Sequence, residues 1–195
     1  MKPKRRTLDL RSADEVIAEI EHLRATGYRK TKRWNLSQIC EHLTMTMVGE
    51  MEGLGFRVPW IIRRTVGIWL TNRVLRTRRM PSVPTLPRLV PQIVDSSDNT
   101  EIIDACIAAV RKSEVFDGSL ADYPFVDNLS HDQWRQFMWI HAAHHLSFLV
   151  PESDTYSNTV ISAAALEFHS RHACDGAARI FPITHAKSKI VAGQA

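Results

Sequence analysis

Three observations predict an all-α fold. Apolar residues recur at helical spacing in four or five segments. Side chains that cap helix N-termini stand just ahead of several of those segments. No pair of alternating strands, no internal repeat and no glycine-rich phosphate loop is found. With the long connections between segments, this pattern indicates a helical bundle followed by a poorly defined C-terminal tail.

The elements follow in chain order. Residues 1–11 are expected to form a disordered basic arm. Ser12, with Glu15 three positions on, has capping-box spacing and opens a helix whose apolar positions are Val16, Ile17, Ile20 and Leu23. Gly27 ends it, and "YRKTKRW" is a loop. A second helix begins between Asn35 and Ser37, with Leu36, Ile39, Cys40, Leu43 and Met47 on one side. His42, Met45, Thr46 and Gly49 continue an adjacent stripe, and Gly53 and Gly55 end the helix. Pro59 suits the first turn of a helix over 59–78, whose Trp60, Ile61 and Trp69 are expected in the core. Four prolines in residues 80–91 impose an extended loop. A helix from about Asn99 buries Ile102, Ile103, Cys106, Ile107 and Val110. Ser130 with Gln133 forms another capping box and opens a helix expected to run to Val150, before Pro151. In the tail, 151–195, a short helix near 159–172 is the one element suggested, and no function is placed there. The domain organisation is thus an arm over 1–11, a bundle over 12–150 and the tail.

Composition narrows the class. The chain has 195 residues, 44% apolar and 24% charged, which suits one domain of ordinary globular character. No run of 18 apolar residues is present, and the basic N-terminus lacks the apolar stretch of a secretory signal. Three widely spaced cysteines argue against a disulfide framework and for a reducing compartment, so the expected location is cytoplasmic. The net charge of +4 is unevenly placed: between Gly53 and Val94 stand eight arginines and no acidic residue, which leaves 17 basic against 21 acidic side chains elsewhere. Arg57, Arg63, Arg64, Arg73, Arg76, Arg78 and Arg79 could neutralise phosphates, but no helix-turn-helix glycine turn, zinc finger or aromatic RNA-binding motif accompanies them. Nucleic acid is therefore not the expected partner. Helix 59–78 resembles a membrane-surface helix in composition, yet its apolar residues are expected to be spent on the core.

The chemistry concentrates in "HAAHHLSFL", residues 141–149. His141 and His145 are one turn and about 40° apart, so their side chains point the same way. They fall in one stripe with Trp134, Met138 and Phe148 or Leu149, the side that must face the core. His144 lies about 60° from His141 on the other side. Two imidazoles in an apolar stripe either bond to backbone carbonyls and neighbours or share a metal ion. The segment lacks the glutamate of HExxH, so nothing in it supports a zinc protease. His169, His172 and Cys174 in the tail match no zinc-finger spacing. Glu41, Glu50, Glu52 and Asp132 receive no catalytic role, and Trp34, Trp134 and Trp139 are read first as core.

Two segments carry a resemblance. "WNLSQICEHL" (34–43) and "LSHDQWRQFMWIHAAHHLSFL" (129–149) resemble the second helix and the later HxxxH helix of the DinB-like (DinB/YfiT) superfamily, closest to a branch of unknown function. The similarity runs over roughly residues 12–150. It implies a four-helix bundle of mixed up-down order. It also implies a divalent metal held by three histidines, which carry over to His42, His141 and His145, with His144 the alternative to either member of the pair. An all-nitrogen set suits zinc or nickel and also admits iron or manganese. By resemblance the function is metal-dependent transfer of a low-molecular-weight thiol, or hydrolysis, on a small-molecule substrate. Bundles of this kind often dimerise through helices, which leaves a homodimer open. The competing class is a non-enzymatic stress or interaction protein in which the histidines are structural.

Overall fold

The computed structural model describes residues 3–82, 84–92, 97–120, 125–127 and 129–152, and these are mostly helical. Helix α1 (Ala13–Thr26) starts at Ser12, whose side chain accepts from the Glu15 N–H. The Glu15 carboxylate accepts instead from the Arg11 N–H, one residue earlier than a reciprocal box requires. Gly27, at φ 69°, turns the chain out of α1 into strand β1 (Tyr28–Lys30). Helix α2 (Leu36–Glu52) opens on a complete capping box between Asn35 and Gln38. Two short segments, α3 (Trp60–Ile62) and α4 (Ile68–Thr77), are joined by a π-helical turn over Arg63–Gly67. Helices α5 (Thr100–Val115) and α6 (His131–Leu146) follow, capped by Asn99 and by the Ser130–Gln133 box. Strand β2 (Leu149–Pro151) then pairs antiparallel with β1.

One apolar core is shared by α1, α2, α4, α5 and α6, built on Val16, Ile20, Leu23, Leu36, Leu43, Met47, Ile103, Val110, Trp134, Met138 and Leu146. Helix α2 lies along α5 and also touches α6, so its two stripes serve two neighbours. Cys40 and Cys106 are buried and free, in keeping with the absence of a disulfide framework. Among the described residues no helix is long and apolar enough to cross a membrane.

Four expectations are corrected. First, α6 ends at Leu146, not Val150, because Ser147 bonds back to His144 O and the chain leaves the helix to pair with β1. Second, that pairing is a small sheet where no strands were expected; three residues a side are too few to display alternation. Third, residues 3–11 are packed, not disordered. The Arg6 N–H bonds to Ser147 O and its guanidinium to Leu149 O and Glu19, while Leu10 is buried. Fourth, Trp60, Ile61 and Trp69 stand 62%, 56% and 63% exposed instead of in the core. The π turn sets which face looks inward: Gly67, Thr71 and Val74 are buried. Gly67 is obligatory there, since a Cβ would lie 1.9 Å from the Phe125 carbonyl oxygen. The suggested helix near 159–172 and the tail histidines lie outside the described residues.

Candidate metal centre

The rotation of α2 about its axis is fixed at its N-terminus. The Tyr28 hydroxyl accepts from the Leu36 N–H and donates to Asp98, whose other oxygen accepts from the Ser37 N–H. With Leu36, Cys40, Leu43 and Met47 fully buried, the adjacent stripe carries His42 toward α6. There the Trp134–Met138 stripe turns His141 and His145 toward the same point.

The three imidazoles converge through their Nε2 atoms. His42 Nε2 lies 3.2 Å from His141 Nε2, and His145 Nε2 lies 3.0 Å from His141 Nε2. One ligand atom from each residue falls within 4.8 Å of both others. Two nitrogens bound at about 2.0–2.1 Å to one ion are roughly 2.9 Å apart at right angles and about 3.3 Å apart at a tetrahedral angle. The two short separations therefore have the length of edges of a coordination polyhedron, and the residues fit a divalent ion. His42 Nδ1 donates to Leu89 O at 2.8 Å, which leaves the Nε2 lone pair free. Leu89 belongs to the proline-rich loop, so that loop holds His42 in its tautomer. Trp34 stacks on His145 with ring centroids 5.5 Å apart.

All three imidazoles are held below the ordinary histidine range. Burial is the first cause in each; neighbouring imidazoles add to it at His141 and His145. The neutral imidazole is the form that ligates metal. His144 is not part of the cluster. Its Nδ1 faces the Arg5 guanidinium at 3.1 Å, and burial, then Arg5 and Lys32, push its pKa down to about 4.

A cavity of about 240 Å³ extends from the triad along α2, beneath the proline-rich loop. Its walls are largely apolar, with Leu54, Leu86, Leu89 and Phe137 among them. At the far end stands Glu50, 4% exposed, one oxygen accepting from the Trp134 indole N–H. Burial raises the Glu50 carboxyl to about 8, against the indole bond, which favours the charged form. The sequence alone assigns Glu50 no catalytic role. The signal was available: His42, Thr46 and Glu50 recur every four positions and share a face. Trp134 and Trp139 are core as expected, Trp134 also donating to Glu50, whereas the partly buried Trp34 stacks on His145. His144 and His145 also line a second cleft of about 490 Å³ with Lys32, Arg33 and Trp34.

The fold and site define a mostly helical protein with a buried three-histidine cluster at one end of an apolar cavity. The chain belongs to the family described as "Protein of unknown function (DUF1569)", which matches residues 2–152. No curated protein and no solved structure matches the chain.

Proposed function

We propose that His42, His141 and His145 hold one divalent metal ion, and that the protein is a metal-dependent enzyme acting on a small molecule bound in the adjoining cavity. The observation that carries this reading is the convergence of three neutral Nε2 atoms from two helices 99 positions apart in sequence, at ligand-edge distances. Zinc or nickel suits three nitrogens best, and iron or manganese is compatible. A bound ion would supply an activated water or thiolate near neutral pH. The chain's own residues orient the imidazoles, line the adjoining cavity with largely apolar side chains and keep the ligands deprotonated. The arrangement of one histidine on α2 and two on α6 also supports assigning the helices to the DinB-like four-helix bundle. Within that reading, the cationic Lys32 and Arg33 beside His145 suit an anionic low-molecular-weight thiol, which favours thiol transfer over hydrolysis.

Elemental analysis of protein purified without a histidine tag tests the metal. About one equivalent of divalent metal per chain is expected, lost in His141→Ala and in His42→Ala. His144→Ala should keep it. Metal-free wild type, or metal retained in His141→Ala, would overturn the site and favour histidines with a structural role. Thiol consumption with a panel of electrophiles, with and without chelator, then tests the reaction.

A further inference from the structure

The cavity has two polar ends, and only one is the histidine cluster. Glu50 lies eight residues beyond His42 on α2, about 12 Å along the helix axis. That is too far for its carboxyl to take a proton directly from a group on the ion. Its hydrogen bonding is one-sided. An indole N–H can only donate, so the oxygen facing Trp134 is an acceptor. Among the described residues Glu50 makes no second hydrogen bond, and no cationic side chain acts on it. The other titratable side chains lining the cavity are His42, His141, His144 and His145, and none of them hydrogen-bonds to Glu50. Thr46, between the two ends, already donates its hydroxyl to Leu43 O and offers only lone pairs.

We infer that Glu50 is a substrate-binding residue whose second oxygen carries a proton into the cavity and donates it to a neutral oxygen acceptor, such as a ketone, ester or amide carbonyl. This rests on reading the cavity as the substrate site. The substrate class is then a slender, largely apolar molecule that has its reacting group at the ion and a neutral carbonyl-type oxygen at the other end. A carboxylate at that end would be desolvated with no cation to meet it. An ammonium group would require Glu50 to ionise among apolar walls.

The probe is methyl pentyl ketone, an acceptor with no donor, compared with hexylamine and hexanoate. Binding is followed by the NMR signal of the Trp134 indole N–H, which sits on the far oxygen of Glu50. The ketone is expected to shift that signal saturably and to bind about fivefold more tightly than either charged probe, the worth of one hydrogen bond. Glu50→Gln keeps both roles, its oxygen accepting from the indole and its NH2 donating to the ketone, so it should retain the preference within about twofold. Glu50→Leu should abolish it. No saturable shift, tighter binding of hexylamine, or an undiminished ketone preference in Glu50→Leu would overturn the assignment. If the leucine variant does not fold, the glutamine variant decides: loss of ketone binding there overturns it equally. Metal content is measured on the same samples. A ketone preference in chelated protein upholds Glu50 even where the triad holds no ion, and metal without ketone binding upholds only the triad.

Discussion

Glu50 and the three histidines titrate in opposite senses, and the difference makes a prediction about pH. In water the Glu50 carboxyl would titrate near 4.5, whereas in the fold it is raised to about 8. Between those values the folded chain keeps a proton that the unfolded chain has released. The group's contribution is therefore fully present below about pH 4.5 and is lost as pH rises through 8. The limiting slope is about 1.4 kcal/mol per pH unit for one proton. His42, His141 and His145, depressed below 6.5, contribute stability present above that value and lost on acidification. Glu50→Gln keeps the indole partner and removes the alkaline loss. In urea titrations of chelated protein, the variant should gain stability over wild type steadily as pH rises from about 5 to 8. Parallel curves would show that Glu50 is ionised in the fold. The sequence hid this residue because a glutamate near a helix end, here with Glu52 two positions on, is usually solvated. Only its position two turns beyond His42, on a face that closes against Trp134, makes it different.

At the scale of elements, what the sequence discloses is what is local. The Asn35–Gln38 and Ser130–Gln133 boxes put α2 and α6 where the residues indicated, since each involves four consecutive positions. The β1–β2 pair joins residues about 120 positions apart with three residues a side, and no local pattern can show it. For helix 59–78 apolar content points to the core, but content alone does not distinguish a buried side chain from an exposed one. The register set by Gly67 decides, and it turns Trp69 outward beneath the Arg73 guanidinium, 6.0 Å from the ring. Substitutions should therefore behave against expectation. Trp69→Ser should change stability by no more than about 0.5 kcal/mol, as a surface change does. Gly67→Ala, which gains helix propensity, should nonetheless cost more than ~1 kcal/mol, because the Phe125 carbonyl occupies the space its Cβ needs. Trp134→Ala, which empties a core position and strands Glu50, should cost roughly 3–5 kcal/mol. Denaturant midpoints of the three variants check the order, and a Trp69→Ser cost equal to that of Trp134→Ala would refute the exposed face.

For the whole molecule, the proposed ion and the N-terminal arm are two separate ties across the same core. The triad joins α2 to α6 and, through the Leu89 carbonyl, reaches the proline-rich loop. Spacing alone supplied only the α6 half, since nothing local connects His42 to residues 99 positions later; the resemblance supplied that link. The arm instead ties residues 5–10 to Ser147 and Leu149, just after α6, and to Arg78 at the C-terminal end of α4. Its basic composition suggests disorder because most of the acceptors that fix it, Ser147 O, Ser147 Oγ and Leu149 O, lie about 140 positions away in sequence. The effects of the two ties on melting should separate. A ligand that binds only the folded state stabilises it by about 2.7 kcal/mol at a hundred times its Kd, which for a chain of this size is a rise of roughly 5–10 °C. Wild type should show that rise on adding zinc to chelated protein, and His42→Ala should not. Deleting residues 1–11 should lower the melting temperature with and without zinc by the same amount, because the arm has no part in the triad. Calorimetry of the four combinations reads this directly: a zinc-induced rise that vanishes on deleting the arm would mean that the arm, through Arg5 at His144, helps to close the metal site.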